Sequence, residues 1–318
     1  MFDLSELKKA VASGEKTIIV PEGAGDWDLP AIVDCIKGAH GITLDLSETK
    51  ITNIGKEAFK SCDALKAIIL PKGLTSIWNS AFEECKALSQ VTIPRGVTSI
   101  GNHAFDSCFK LTQVEIPVSV TSIGKYAFHK CNSLWKVVIP ESVTSIEPSA
   151  FYWCHDLAKI DVASGNKNYS SVGGVLFSKD KKTLVRYPEG QTAEYYEIPE
   201  GITSIGKSAF YCCKSLTKVV IPESVTSIED HAFCNCTVLT RIEIPASVTS
   251  IGYRAFYRCE SLKVTIPSSV TSIGYEAFKG CSAALYKKLI YPHKTGLMQY
   301  CVFQNAVSSA CYKTQYEH

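Results

Sequence analysis

The chain has 318 residues, of which 33 are Lys or Arg and 31 are Asp or Glu, so its net charge at pH 7 is +2. The basic residues are spread along the chain and form no block that could hold a phosphate backbone, which argues against nucleic acid as a partner. No apolar run approaches the roughly 20 residues needed to span a bilayer, so direct insertion into a membrane is not expected.

Residues 1–50 predict a cap at the amino-terminal end of the chain. Asp3 and Glu6 have the spacing of a capping box at the start of a helix. A short strand is predicted at residues 17–20, followed by a second helix that Asp28 begins. Two amphipathic helices with short strands would provide the polar lid that the open end of a repeat array needs.

A repeat begins at Ile51 and dominates the rest of the chain. Nine Ala-Phe pairs recur at a spacing of 23 residues, except for one gap of 59 and a last one of 22. Self-similarity at a fixed period marks a solenoid in which each unit buries its apolar face against its neighbours. The nine phenylalanines are Phe59, Phe82, Phe105, Phe128, Phe151, Phe210, Phe233, Phe256 and Phe278.

The copy from Thr121 to Val143 shows what each repeat predicts. Its L-x-x-V-x-I-P segment alternates as a strand does, and Pro140 ends the strand because proline has no amide to donate. The Val-Thr-Ser-Ile segment predicts a shorter strand on the opposite wall. The Ala-Phe-x-x-Cys segment has room for one helical turn. The side chains predicted to point inward are Val120, Ile123, Ala127, Phe128, Cys131, Leu134, Val137 and Ile139.

Nine of the fourteen cysteines occupy one position of the repeat, three residues after the Phe. Stacking would align these thiols along the interior, where cysteine behaves as a small, inert apolar residue. Disulfides within this ladder or a zinc site are the alternatives. The nine ladder cysteines are Cys62, Cys85, Cys108, Cys131, Cys154, Cys213, Cys236, Cys259 and Cys281.

Two further pairs of cysteines lie outside the ladder. Cys212 and Cys234 are predicted on neighbouring coils with side chains pointing outward or sideways, as free thiols, a local disulfide or part of a zinc site. Cys301 and Cys311 lie in the tail, where they are either free thiols or a pair that closes a carboxy-terminal cap.

An insertion from about residue 163 to 196 accounts for the long gap between repeats. Within it, residues 175–177 and 184–187 flank a polar turn and predict a β-hairpin. The insertion is either an expanded repeat, with Tyr187-Pro188 stacking as an irregular coil, or a protruding recognition element. The repeats then run to about residue 292, and residues 293–318 form a tail or cap.

The order I-P, S-V-T-S-I-G, A-F-x-x-C and L-x-x-V in a 23-residue unit resembles the BspA-like, Treponema pallidum-type leucine-rich repeats. The resemblance covers residues 51 to about 292. It implies a leucine-rich repeat solenoid, a β-dominated α/β fold in which about ten coils form a curved right-handed superhelix. A parallel sheet would line its concave wall, with short convex strands, single helical turns and a helical amino-terminal cap.

The resemblance also implies a location and a kind of partner. Many members of the class are bacterial or protist surface proteins that bind host or matrix proteins, which implies a cell-surface or secreted protein that acts in adhesion. No export signal or anchoring segment is visible in the sequence, so a cytoplasmic location is the alternative.

The motifs of known enzyme classes are missing from this sequence. It contains no G-x-S-x-G, no Gly-rich phosphate loop, no H-E-x-x-H and no C-x-x-C. The histidines are scattered: His103 and His231 share a repeat position, whereas His129 and His155 occupy unrelated ones. The sequence therefore predicts a non-enzymatic protein without catalytic, cofactor-binding or metal-binding residues.

Outward positions of the longer predicted strand carry interleaved basic and acidic residues, with one tryptophan beside them. Such a wall is either a face whose charges keep it solvated or a binding face. The tryptophan is the reason to consider binding, because large aromatic residues are favoured anchors in interfaces. The candidate protein-binding surface comprises Trp135, Lys136, Lys159, Asp161, Lys218, Arg241, Glu243 and Lys263.

A second row of aromatic residues surrounds the Ala-Phe turn. It predicts either an exposed apolar stripe, which would suit a partner, or side chains that lie flat on neighbouring coils. The candidate aromatic edge comprises Tyr126, Tyr152, Trp153, Tyr211, Tyr253, Tyr257 and Tyr275.

Two functions remain open. The first is a protein-binding module, adhesin-like or receptor-like, whose partner is a protein of the host or extracellular-matrix type. The second is a structural spacer or intracellular scaffold without a specific host ligand.

Overall fold

The structure is a computed structural model that describes residues 3–282. These residues form two units, of which the first ends at Lys179 and also includes Pro188–Gly190, and the second comprises Asp180–Tyr187 and continues from Gln191. Each unit is a solenoid with parallel sheets. The predicted last strand, at residues 285–292, and Cys301 and Cys311 lie outside the described residues.

The amino-terminal cap has the predicted order of helix, strand and helix. Helix α1 spans Ser5–Ala12, a 3-10 turn spans Asp26–Asp28, and helix α2 spans Leu29–Ile36. The capping bonds differ from the prediction, because Asp3 accepts the amide of Ser5 at 2.8 Å instead of forming a capping box with Glu6. Asp28 likewise accepts the amide of Gly25, at 2.9 Å, and so closes the 3-10 turn.

The first unit contains fourteen strands among its described residues, which are numbered in chain order. They are β1 Thr17–Ile19, β2 Ile42–Asp45, β3 Asn53–Ile54, β4 Leu65–Ile69, β5 Ser76–Ile77, β6 Gln90–Thr92, β7 Ser99–Ile100, β8 Gln113–Glu115, β9 Ser122–Ile123, β10 Lys136–Ile139, β11 Ser145–Ile146, β12 Lys159–Val162, β13 Tyr169–Val172 and β14 Val175–Ser178.

Two parallel sheets form the walls of this unit. The long-strand sheet has the order β1-β2-β4-β6-β8-β10-β12, and the short-strand sheet has the order β11-β9-β7-β5-β3. Residues one period apart pair directly, as Gln113 does with Lys136 and Lys136 with Lys159. A fixed period thus brings equivalent side chains into columns that run across the strands.

The second unit repeats this arrangement among its described residues. Its short-strand sheet has the order β15-β17-β19-β21-β22, and its long-strand sheet has the order β16-β18-β20. Its strands are β15 Thr183–Arg186, β16 Tyr195–Glu197, β17 Ser204–Ile205, β18 Lys218–Val220, β19 Ser227–Ile228, β20 Arg241–Glu243, β21 Ser250–Ile251 and β22 Ser272–Ile273.

The Ala-Phe-x-x-Cys segment was predicted as one helical turn and is instead a pair of tight turns. In the copy around Phe128, the flanking residues Tyr126 and Lys130 have φ angles of 57° and 56°, in the left-handed region. Helical residues have negative φ, so the segment cannot be helical. Its amides bond across coils, as Phe128 N–H does to the carbonyl of Ala150 at 2.8 Å.

The repeated phenylalanines form a stack inside each unit, as the repeat predicts. In the first unit the Phe128 ring lies between Phe105 and Phe151, with centroid distances of 5.4 and 5.5 Å and interplanar angles of 3° and 4°. Near-parallel rings at this distance are offset, which is a favoured geometry for aromatic pairs. In the second unit Tyr187 takes the Phe position of an irregular coil and stacks on Phe210 at 5.3 Å.

The ladder cysteines are buried, as predicted. Each thiol from the second coil onward donates to a carbonyl of the preceding coil, such as Cys131 Sγ to Phe105 O at 3.2 Å. Cys212 and Cys234, which were predicted to point outward or sideways, are also buried, and only 1% and 4% of these residues is exposed. Burial raises the pKa of Cys234 to about 12.

Stability is expected to fall as the pH rises above about 9. Burial raises the pKa of Cys85 and Cys131 above the ordinary value of 9.0, so the folded state holds protons that the unfolded chain releases there. This stabilisation is complete below pH 9 and is lost progressively above it. Urea unfolding at about pH 8 and pH 10 measures the loss, which should be smaller in Cys131→Ala. Equal losses in both proteins would contradict the explanation.

The insertion contributes an antiparallel hairpin to the first unit. Strands β13 and β14 are joined by Gly173 and Gly174, whose φ angles of 60° and 82° suit glycine. The residues predicted as a strand, 175–177, are buried, which is what an expanded repeat requires. Strand β13 was not predicted, because Tyr169–Val172 contains two serines and has no clear alternation.

Candidate functional site

Four of the predicted binding residues lie together on the long-strand sheet of the first unit. Trp135 is 51% exposed, and its neighbours in register are Thr112 and Ala158, which are both small. The Lys136 ammonium lies 2.8 Å from the carboxylate of Asp161, so this part of the wall is partly neutralised. Both partners of the pair are more than one-third exposed, and such pairs contribute little to stability.

The other four predicted residues lie on the long-strand sheet of the second unit. Lys218 pairs in register with Arg241, and Arg241 with Lys263, so three cations stand in one column across adjacent strands. Strands in a sheet are about 4.8 Å apart, which sets the spacing of the column. We call Lys218, Arg241 and Lys263 the cation column. All three side chains are exposed.

An acidic residue and a tyrosine accompany the cation column. Glu243 accepts two hydrogen bonds from the Arg241 guanidinium, the shorter at 2.6 Å. Tyr195 extends the column by one strand, is 48% exposed and has the Lys218 ammonium 5.3 Å from its ring centre. Sequence reasoning missed Tyr195 because the insertion was taken to run to residue 196. The Tyr196-Glu197-Ile198-Pro199 ending, which fits V-x-I-P with Tyr in place of Val, was the available signal.

The aromatic edge of the first unit is mostly packed against itself. The Tyr126 ring lies 5.0 Å from His103, 5.2 Å from His129 and 5.9 Å from Tyr152. Trp153 contacts the ring of His155 at 5.5 Å. Tyr126, Tyr152 and Trp153 are half-buried, so they form a packing layer along the turns rather than an open stripe.

The aromatic edge of the second unit is held by a cation. The Arg254 guanidinium lies 4.9 Å from the Tyr253 ring centre and 4.8 Å from that of Tyr257. It also donates to the Glu276 carboxylate at 2.5 Å. Hydrogen bonds from Lys279 and from Arg254 together lower the pKa of the Glu276 carboxyl. Tyr211, Tyr253 and Tyr257 are half-buried, and only Tyr275 among the predicted edge residues is largely exposed.

The histidines of the first unit are less scattered than the sequence indicates. His103 and His129 place their Nδ1 atoms 2.8 Å from the two carboxylate oxygens of Asp106, which is buried. An ionised carboxylate only accepts hydrogen bonds, so both imidazoles donate. Burial opposes ionisation of Asp106, but the hydrogen bonds from His129 and His103 outweigh it and lower the pKa. The cluster thus joins two adjacent coils.

Residues 3–282 contain neither a metal-binding cluster nor a helix that could span a membrane. No group of three or more His, Cys, Asp or Glu side chains in that range is arranged to hold a metal ion. Across the same residues, no helix has the length and apolar character that a membrane span requires.

Solved structures of repeat proteins are similar to this one. A pneumococcal vaccine antigen, PcpA, is 30% identical with a TM-score of 0.68, and the match covers 77% of this chain and 60% of that one. The chain therefore spans less than two-thirds of that relative. A leucine rich cell surface protein from Faecalibacterium prausnitzii is 25% identical with a TM-score of 0.61, and the match covers 93% and 92% of the two chains. No curated protein sequence matches significantly.

The family comparison agrees with the geometry of the repeat. A family model described as BspA type leucine rich repeat region matches residues 52–182 and 189–309 in six copies. These ranges contain the ladder cysteines, the phenylalanine stacks and both candidate surfaces. The chain belongs to the BspA-type leucine-rich repeat family.

Proposed function

We propose that this chain is a non-enzymatic protein-binding module, adhesin-like or receptor-like, that binds a host or extracellular-matrix protein. The observation that carries the proposal is the cation column of the second unit, with exposed Tyr195 beside it. A cell-surface or secreted location is part of the proposal. It is supported by the surface protein to which the chain is similar.

The cation column has no evident part in holding the fold together. Lys218, Arg241 and Lys263 point away from the core, and the residues that alternate with them, such as Val219 and Ile242, are buried. Aligned like charges repel one another at short range, so a partner that neutralises them gains binding energy. A tyrosine next to such charges supplies apolar contact area at a small cost in side-chain entropy.

The ion pair with Glu243 does not remove the charge of the column. Both side chains are well exposed, at 67% and 73%, and an exposed ion pair is worth about 1 kcal/mol or less. A partner carboxylate can therefore replace Glu243 on the Arg241 guanidinium. We accordingly propose a partner with an acidic surface, and binding that weakens as salt is added.

The triple variant Lys218→Glu, Arg241→Glu and Lys263→Glu is expected to weaken binding at least about tenfold, because three attractive contacts become repulsive. The measurement is surface plasmon resonance against immobilised fibronectin, laminin and type IV collagen, at low and at physiological salt. The thermal melt should not change, since all three side chains are exposed.

A matched control is Lys72→Glu, Arg95→Glu and Lys110→Glu, which changes the net charge equally at exposed positions of the first unit. It should bind like the wild type. Equal weakening by both triple variants would show that net charge alone governs binding, and would reject the cation column as the binding surface. If none of the three matrix proteins shows saturable binding, a structural spacer is favoured over an adhesin.

A further inference from the structure

Trp78 stands on the short-strand wall of the first unit, just after strand β5, and is 53% exposed. The residues in register with it on the two adjacent coils are Gly55 and Gly101. The indole is held in place, because Nε1 donates to Ser76 Oγ at 3.0 Å and Ser76 in turn donates to Asn53 Oδ1. Among the described residues, no aromatic ring or cation stacks on Trp78. It is therefore a fixed aromatic surface between two residues without side chains.

The two glycines have different physical roles. A Cβ added at Gly101 would lie 2.6 Å from the carbonyl carbon of Trp78 and 2.9 Å from Asn79 Oδ1, so close packing of the coils requires glycine there. A Cβ added at Gly55 would meet no atom within 4 Å. Packing does not demand glycine at position 55, so that coil presents no side chain in the register of Trp78.

Two carboxamides follow in this register: Asn79 is the residue after Trp78, and Asn102 is its counterpart one coil further on. Asn79 Oδ1 accepts the amide of Asn102 at 2.9 Å, and Asn102 Oδ1 accepts the amide of Lys125 at 2.8 Å. Only the oxygen of a carboxamide can accept, so each NH₂ group remains a donor. Both side chains are exposed, and in the described part of the chain neither NH₂ group has a partner. They form two fixed, uncharged donors one coil apart.

We propose that Trp78, Asn79 and Asn102 form a binding site for an uncharged glycan, a function separate from the protein binding proposed above. The C–H groups on one face of a sugar ring form an apolar surface that would lie on the indole. The ring's hydroxyl oxygens would accept from the two carboxamides. A few fixed polar groups beside an apolar surface are the usual composition of a specific small-ligand site. None of these three side chains is charged, so they offer no ion pair to an acidic partner.

The second unit offers an internal comparison on its own short-strand wall. There Glu229 occupies the position of Trp78, between Gly206 and Gly252 in the same register. A cavity of about 440 Å³ lies beside it, lined also by Ser250 and Gly274. The Glu229 carboxylate accepts from Ser204 at 2.9 Å, and no indole is present at that position. The pair of flanking glycines therefore recurs, whereas the indole at this position is particular to the first unit.

The test is isothermal titration of the full chain with four neutral hexasaccharides: cellohexaose, laminarihexaose, maltohexaose and chitohexaose. At least one is expected to bind with a Kd of roughly 0.1 to 1 mM, a range set by one ring contact and a few hydrogen bonds. Trp78→Ala should weaken that binding at least about tenfold.

Two other exposed tryptophans provide the controls. Trp27 is 97% exposed in the cap and Trp135 lies on the opposite wall, so Trp27→Ala and Trp135→Ala should leave sugar binding unchanged. Sugar binding that survives Trp78→Ala would overturn the proposal. So would the absence of heat from all four sugars at about 10 mM. Loss of matrix-protein binding in Trp78→Ala, without any sugar binding, would make this surface a protein contact instead.

Discussion

Replacing Phe128 by alanine is expected to lower the free energy of unfolding by roughly 3 to 5 kcal/mol. The side chain is fully buried, and its ring contacts Phe105 on one side and Phe151 on the other. The substitution removes both stacking contacts and leaves a cavity between coils that are fixed by cross-coil hydrogen bonds. The backbone cannot close this cavity, because Phe128 N–H and the amides around it are bonded to the next coil.

Urea or thermal unfolding monitored by circular dichroism measures this loss. The matched control is Phe109→Ala, since Phe109 is half-buried and lies outside the stack. Its loss should be on the order of 1 kcal/mol. Similar losses at the two positions would mean that the stack contributes no more than ordinary surface packing. A repeat protein can unfold in segments, so the midpoint and the slope should be compared separately.

The core could be predicted from the sequence because the repeat supplies its own comparison. The eight residues assigned to the interior of one copy, from Val120 to Ile139, are all buried. An error of one position would have turned the set to the surface, since strand side chains alternate. Nine copies that keep one period fit only one register of the strands. The residues predicted to point inward were therefore assigned correctly.

The conformation of the turns could not be predicted in the same way. Tyr126, Lys130 and Glu84 adopt positive φ, although none of them is Gly, Asn, Asp or His, the residues that favour this region. The hydrogen bonds between coils impose the conformation, as Lys130 N–H does by donating to Tyr152 O at 2.9 Å. The information therefore lies in contacts between repeats rather than in the residue types of one repeat.

For the candidate surfaces, the sequence predicts which residues line up across the strands but not which side chains contact each other. The period places Lys218, Arg241 and Lys263 in line. It does not reveal that Glu243 pairs with Arg241 within one strand, because that depends on side-chain rotamers. The meeting of His103 and His129 at Asp106 was hidden for a related reason. The two histidines occupy different repeat positions, and only the curl of the turn brings them to one carboxylate.

Asn166 is a polar residue in an apolar column of the first unit. It lies 23 residues after Val143, at the inward Val position of the repeat, and is fully buried. Its NH₂ group donates to Pro140 O at 2.7 Å and to Val143 O at 3.0 Å. Its Oδ1 accepts the amides of Asn168 and Tyr169, both at 2.8 Å. One side chain thus joins the start of the insertion to the preceding coil.

Asn166→Val restores the repeat residue and is nevertheless expected to lower the free energy of unfolding by about 2 to 4 kcal/mol. The apolar side chain meets none of the four hydrogen bonds, and buried backbone groups left unpaired each cost about 1 to 3 kcal/mol. Urea unfolding measures the loss, and hydrogen exchange at the Asn168 and Tyr169 amides should accelerate. Asn168→Ala is the control, because that side chain is exposed and should change stability by no more than about 0.5 kcal/mol. A more stable Asn166→Val would mean that apolar packing in the Val column outweighs the hydrogen-bond network.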